Sequence, residues 1–305
     1  VSDGRIDHIG ERRMRVGMIG LGNIGGHVAA NLVADDHDVT VYDVRRARAE
    51  EVAGAMVAAD VGTVGATCEV TLLSLPTPAI VEAVASDWAA SAAPGSILVD
   101  LSTNDPAAVR TLGARLERHG HHLVEAPLTG GAVGAERRLL MFMLGGGEEA
   151  IERVRPVLEP LGRATFHMGP LGMGNTMKLV NSLVAFAATW SSLEGLALAR
   201  KAGIAVQDAV EVLRTGGAGN FYLDRLVEGI DLRDRPTQFA LELAAKDAAL
   251  IVRTGEDLGV PTPTGAVVRD VLERAVSEGL GSKDWADLVA VAEMLADIDL
   301  RWQAT

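Results

Sequence analysis

Cysteine is almost missing from this sequence. Cys68 stands alone among 305 residues, which excludes a disulfide within it and any cysteine-built metal cluster. Placed just ahead of an apolar run, Cys68 reads as a small buried apolar side chain. Aromatic residues are also scarce, at 4% against 48% hydrophobic overall, so alanine, valine and leucine must fill the interior. That supply suits closely packed helices better than an all-β sandwich. Positive charge is outnumbered: 28 Lys and Arg against 41 Asp and Glu leave a formal charge of −13. A balance of this sign argues against nucleic acid or an anionic membrane as the main partner. An acidic metabolite stays open, because a few local cations decide that. Long apolar runs are absent too, none reaching 18 residues. The longest helical stretch, near 176–200, is interrupted by Lys178, Asn181, Ser182, Ser191, Ser192 and Glu194, so no membrane span is expected. The start, Val1 to Arg13, is charged and lacks the apolar core of a secretory signal. It is expected to be an N-terminal tail (1–13), with Met14 as the native start and the cytoplasm as the location.

What is present is a change of pattern along the chain. From Met14 to about Thr165, short apolar runs alternate with helical stretches. The runs are Arg15–Ile19, Val39–Tyr42, Val70–Leu75, Ile97–Val99, His122–Val124 and Leu140–Leu144, with helical periodicity at 24–34, 77–90 and 106–119. Strands alternating with helices of this length predict βαβ units and a mostly parallel, doubly wound sheet. After Gly174 no strand pattern remains. Helical segments follow one another at 174–202, 206–215, 221–229, 238–258, 263–278 and 284–297, separated by Gly203, Gly216 to Gly219, Pro236, Pro261 and Pro263. The expected organisation is an α/β Rossmann-type domain over 14–171 and an all-helical domain over 172–305, joined by a long helix.

The first strand runs directly into Gly20-Leu21-Gly22-Asn23-Ile24-Gly25, and a helical pattern begins at Ile24. In that context Gly20 permits a tight turn, Gly22 lets the backbone approach a pyrophosphate, and Gly25 lets the helix pack on the strand. Free N–H groups at the helix start then face the phosphates. The turn is thus expected to bind a dinucleotide, NAD or NADP, through Gly20, Gly22, Asn23, Ile24 and Gly25. Asp43 ends the second strand 18 residues after Gly25, where a carboxylate accepts from ribose hydroxyls and repels a 2′-phosphate. This favours NAD. Arg45 and Arg46 keep NADP open, since an arginine past this strand is also how a 2′-phosphate is held.

The motifs that follow keep a shared order: Ala30-Asn31-Leu32, Leu75-Pro76, Asp100-Leu101-Ser102-Thr103, Glu125-Ala126-Pro127-Leu128-Thr129-Gly130-Gly131, Gly172-Met173-Gly174, Lys178-Leu179-Val180-Asn181-Ser182 and Lys246-Asp247. From Met14 to roughly Leu295 the series resembles the β-hydroxyacid dehydrogenase family, which includes 3-hydroxyisobutyrate dehydrogenase and tartronate semialdehyde reductase. The resemblance implies that Lys178 is the catalytic acid/base and that Asn181 orients the substrate. It also implies that Thr129, Gly130 and Gly131, with Ser182, bind a small-molecule carboxylate substrate. Leu75, Pro76 and Thr103 would line the cofactor near its nicotinamide, and Lys246 would close over it. The family fold further implies a homodimer or homotetramer.

The residues support the same chemistry on their own terms. Lys178 and Asn181 are three apart in a helical stretch and share a face. An ammonium and an amide converging there can hold and polarise a carbonyl oxygen, and a lysine in a dry cleft can have its pKa lowered for acid/base work.

Three departures bear on the substrate. Thr129 replaces the family's serine, Ser182 replaces its second asparagine, and Glu136-Arg137-Arg138-Leu139 replaces a small glycine-threonine step. Arg137 and Arg138 are either exposed before a strand or hold a second anionic group of the substrate; the first is preferred. His119, His121 and His122 lack a carboxylate spaced to complete a metal site, and a partly solvated strand entrance is expected for them. Phe221, Tyr222 and Phe239 are either packing residues or reach the substrate. Two other functions are weighed: an imine reductase and a non-catalytic dinucleotide-binding module. Lys178 counts against both.

Overall fold

The computed structural model describes residues 13–230 and 236–301. The expected tail lies almost wholly outside the described residues. The chain divides into two compact units, Val1–Asn175 and Thr176–Thr305.

Among the described residues of the first unit, nine strands form one sheet. They are β1 (Arg15–Ile19), β2 (Asp38–Tyr42), β3 (Met56–Val57), β4 (Val70–Leu73), β5 (Ile97–Asp100), β6 (His122–Glu125), β7 (Leu128–Thr129), β8 (Leu140–Gly145) and β9 (Gly162–Gly169). The order β3-β2-β1-β4-β5-β6 is parallel throughout. Beyond it, β8 runs antiparallel to β6 and β7 and parallel to β9. Parallel strands are buried on both faces, which is why β4 and β5 are buried at every position.

The alternation of side chains builds two cores, one on each face. Val16 and Met18 of β1, Val70 and Leu72 of β4, and Ile97 and Val99 of β5 pack with α1 (Gly25–Ala34) and α7 (Glu148–Leu158). Ile19, Leu73, Leu98 and Leu123 pack on the other face with α3 (Val61–Thr67), α4 (Pro78–Ala89) and α5 (Pro106–Arg118). The remaining helices here are the short α2 (Arg46–Glu50) and α6 (Gly131–Glu136). Helix starts are written in the sequence: Thr77 and Asp105 cap α4 and α5, each followed by proline at the first helical position.

The edge strand β9 has no counterpart among the expected runs. Its sequence alternates Arg163, Thr165 and His167 with Ala164, Phe166 and Met168, a two-residue period that sequence reasoning passed over, and none of its positions is fully buried. One histidine also departs from the expected solvated strand entrance. His119 ends α5 and His122 opens β6 exposed, but His121 is buried, edge-on to Trp88 at 5.2 Å. Among the described residues no group of His, Cys, Asp and Glu could hold a metal.

The second unit is helical: α8 (Met173–Lys201, its first turn belonging to the first unit), α9 (Val206–Thr215), α10 (Phe221–Ile230), α11 (Leu241–Leu258), α12 (Pro263–Ala275) and α13 (Leu288–Ala296). By length and composition α8 would suffice to cross a membrane. In the structure one side of it, with Leu179, Phe186, Trp190, Leu193 and Leu196, forms the core of this unit. Phe239 packs there as well, stacked on Phe186 with ring centroids 6.4 Å apart, while Phe221 is exposed against Tyr222.

Candidate active-site residues

In a doubly wound sheet the loops that meet at a ligand are those leaving the carboxyl ends of the strands where the chain order reverses. Here that reversal lies between β1 and β4. The turn after β1 carries Gly20 to Gly25, the loop after β4 carries Leu75 and Pro76, and the loop after β5 carries Ser102 and Thr103. They are tied together: Ser74 donates from its N–H to the Ile19 carbonyl at 3.0 Å, and Leu75 donates to Ser102 Oγ at 2.9 Å.

The glycines of the turn answer to space. Gly20 has φ +87°, in the left-handed region, and a Cβ there would strike the Ser74 carbonyl. At Gly25 a Cβ would fall on the Gly20 carbonyl oxygen. Helix α1 begins after Ile24 with no side chain capping it and no acidic residue in its first turn. Its positive dipole end is thus available to a phosphate. Asp43 closes the turn from β2: Oδ2 accepts from Leu21 N–H at 2.7 Å and Oδ1 from Arg45 N–H at 2.8 Å. The cradle and this carboxylate fit a dinucleotide. Arg45 and Arg46 are exposed, Arg46 pairing with Glu50 at 2.8 Å. The arginine beside the turn is Arg48, 3.9 Å from Asp43 Oδ2, which the sequence reading did not single out.

Thr129 ends β7, and Gly130 and Gly131 follow with φ of +126° and +63° at the start of α6. Asn31 of α1 ties to this segment by donating to the Ala135 carbonyl at 2.8 Å. Arg138 is held by the protein itself. It donates to Asp35 Oδ2 at 2.7 Å, the Pro160 carbonyl at 3.2 Å and the Asn31 carbonyl at 3.1 Å, which corrects both readings of it as exposed or as a substrate ligand. Arg137 is exposed. Truncating Arg138 to alanine is expected to cost about 1–3 kcal/mol, as losing charged hydrogen bonds does, and to lower Tm without changing the substrate KM. A raised KM at unchanged Tm would return Arg138 to the substrate.

In the second unit Lys178 and Asn181 stand on one side of α8, both half-buried, with Ser182 buried. Burial pushes the Lys178 ammonium below the ordinary lysine range; the Asp247 carboxylate opposes this and Lys246 adds to it. Asp247 of α11 is almost wholly buried, with Oδ1 3.1 Å from Lys246 Nζ. Sequence reasoning paired Asp247 with Lys246 but gave it no task; its charge favours the Lys178 ammonium.

Comparison with known proteins gives the same frame. Residues 15–169 match the family described as the NAD binding domain of 6-phosphogluconate dehydrogenase. Residues 172–292 match that described as NAD-binding of NADP-dependent 3-hydroxyisobutyrate dehydrogenase. The mitochondrial 3-hydroxyisobutyrate dehydrogenase of Drosophila melanogaster is 30% identical over 89% of this chain and 87% of its own. The chain belongs to the β-hydroxyacid dehydrogenase family. A 2-(hydroxymethyl)glutarate dehydrogenase of Eubacterium barkeri is 28% identical over 95% of this chain and 98% of its own length. The solved 3-hydroxyisobutyrate dehydrogenase of Mycobacterium tuberculosis with L-serine superposes with a TM-score of 0.84 at 28% identity, covering 93% of this chain and 99% of that one. This β-hydroxyacid dehydrogenase is therefore an NAD(P)-binding oxidoreductase.

Proposed function

We propose that this enzyme interconverts a 2-substituted 3-hydroxypropionate and its semialdehyde, using NAD and Lys178 as the acid/base. The observation that carries this reading is the Lys178–Asn181 pair on one side of α8, with the ammonium destabilised by burial and the Asp247 charge opposing that shift. When bound, the dinucleotide supplies the hydride acceptor for oxidation and the donor for reduction. In oxidation a neutral Lys178 Nζ takes the hydroxyl proton; in reduction its ammonium returns that proton to the alkoxide. Asn181 hydrogen-bonds the same oxygen and orients it. Backbone N–H groups of Thr129, Gly130 and Gly131, with the Ser182 hydroxyl, receive the substrate carboxylate. Leu75, Pro76, Thr103 and Lys246 contact the dinucleotide.

The names of the relatives support the substrate class. 3-Hydroxyisobutyrate, 2-(hydroxymethyl)glutarate and L-serine each carry a hydroxymethyl on the carbon that bears the carboxylate, and differ in the third substituent. Asp43 supports NAD, because its carboxylate at the end of β2 would face a 2′-phosphate with like charge. The test is a rate screen by dinucleotide absorbance, with these three acids and 4-hydroxybutyrate, each with NAD and NADP. Turnover of at least one of the three with NAD is expected. A rate confined to 4-hydroxybutyrate would overturn the class, and a preference for NADP would overturn the cofactor.

Self-association is proposed along α8. Met173, Met177, Val180, Val184 and Leu198 are exposed, and the first four recur at spacings of four, three and four, as in a helix-packing seam. Exposed apolar surface of this kind marks an interface, and a second copy supplies the matching seam. Light scattering is expected to give a dimer or tetramer mass, and Val184→Glu with Leu198→Glu to lower it. A monomer mass for the unsubstituted protein would remove the proposal.

A further inference from the structure

Among the described residues of the first unit, the most deeply buried acidic side chain takes no part in the chemistry above. Glu125 ends β6 with no exposed surface, and Asp100 ends β5 almost as fully buried. Burying a carboxylate is costly unless it is hydrogen-bonded, so its partners identify what the fold uses it for. Glu125 Oε1 accepts from the N–H groups of Gly172 and Gly174, the latter at 3.0 Å. Its Oε2 accepts from Asn175 N–H at 3.0 Å and Asn175 Nδ2 at 2.6 Å. These donors all belong to the segment that starts α8.

The segment is then tied onward. Asn175 Oδ1 accepts from Asn104 N–H at 2.7 Å, and Asn104 Nδ2 donates to Asp100 Oδ2 at 3.3 Å. Asp100 Oδ1 accepts from Ser102 N–H at 2.9 Å, and Ser102 Oγ accepts from Leu75 N–H at 2.9 Å. One continuous network joins the start of α8 to the loops after β5 and β4. A glycine makes room for it: a Cβ at Gly145 would fall on Glu125 Oε1, while one at Gly174 would first strike the Met143 carbonyl oxygen of β8.

A helix start can be capped by the residue just before it. This one is capped from a neighbouring strand, which fixes its first turn, Met173 to Asn175, to β6 and not only to its own preceding loop. Lys178 follows Asn175 by three residues, about 4.5 Å along the same helix. We propose that Glu125 and Asn175 are positioning residues, whose carboxylate and amide fix the start of α8 and thereby the placement of the Lys178 ammonium. The step from placement to rate rests on Lys178 being the acid/base; the placement itself does not.

The test uses the full chain with Glu125→Gln, which turns an amide N–H₂ against the Asn175 donors. Asn175→Asp added to it restores an acceptor opposite that amide and the charge of the network. Two readouts are taken: kcat with dinucleotide affinity, and the NMR resonance of ¹³C-methylated Lys178, assigned by its loss in Lys178→Met. Glu125→Gln is expected to move the Lys178 resonance and lower kcat by about 10–100-fold, as a misplacement near 1 Å does, with dinucleotide affinity kept. The added Asn175→Asp is expected to recover part of both. An unmoved Lys178 resonance in folded Glu125→Gln overturns the proposal. So does a loss of folded protein in Glu125→Gln that Asn175→Asp does not repair. A moved resonance together with full activity of Lys178→Met would keep the positioning and sink the acid/base reading instead.

Discussion

Replacing Lys178 by methionine is expected to lower kcat by about 10²–10⁴-fold, the usual worth of a positioned acid or base, and to leave dinucleotide affinity unchanged. Methionine keeps the unbranched stem and removes the proton carrier, so lost packing cannot account for the result. Activity equal to the unsubstituted enzyme would end the acid/base assignment and revive the binding-module reading. The same residue governs pH dependence. Burial lowers the Lys178 pKa and Asp247 raises it back, so Asp247→Asn is expected to lower it further. In oxidation the neutral amine is the active form, and the rising limb of the rate profile should move to lower pH. In reduction the ammonium is the active form, and the falling limb should move the same way. Limbs that stay in place, or move to higher pH, would remove Asp247 from the site. Stability follows the same sign: with a folded pKa below the unfolded one, the protein gains stability as pH rises through the folded value towards the unfolded one. The gain should be missing in Lys178→Met, as read from Tm against pH.

Most of this architecture is legible before any coordinates, because its signals are local. Strands buried on both faces read as unbroken apolar runs, and β1 matches its run at both ends. Proline after Thr77 and after Asp105 announces two helix starts. The unread parts are set by partners far along the chain. Strand β9 is held by pairing with β8, and its alternation of Ala164, Phe166 and Met168 with polar residues was missed because it is short and no position in it is fully buried. Arg138 and Glu125 are charged residues whose tasks lie 103 and 47 or more residues away in sequence, with Asp35 and with the start of α8. A charge beside a strand does not say whether it meets water, substrate or a distant carbonyl. The one available signal was Glu125 itself, an acidic residue closing a run otherwise expected to be buried. The burial of His121 was unread for a related reason: it turns inward onto Trp88, while His119 at a helix end and His122 at a strand start stay exposed as expected.

The glycine turn offers a paired result of opposite sign. Gly25→Ala places a methyl on the Gly20 carbonyl oxygen and against Met18 Cε, and a backbone atom cannot step aside as a side-chain end can. Overpacking of this kind costs about 1–3 kcal/mol and sometimes more, and here it must push α1 away from β1. Because the displaced groups are the turn amides proposed to face the phosphates, dinucleotide affinity should fall with Tm. Gly26→Ala, one residue on, meets only the Leu21 carbonyl at 3.6 Å, an ordinary contact, and stands inside the same helix without a positive φ. Alanine there should be neutral or should stabilise by about 0.5–1 kcal/mol, through its better helix propensity. Thermal melts and dinucleotide titrations of the two variants decide between space and mere composition. If both alanines weaken binding alike, the turn needs glycine for flexibility. If Gly25→Ala alone fails, the close approach of helix to strand is what makes the cofactor cradle.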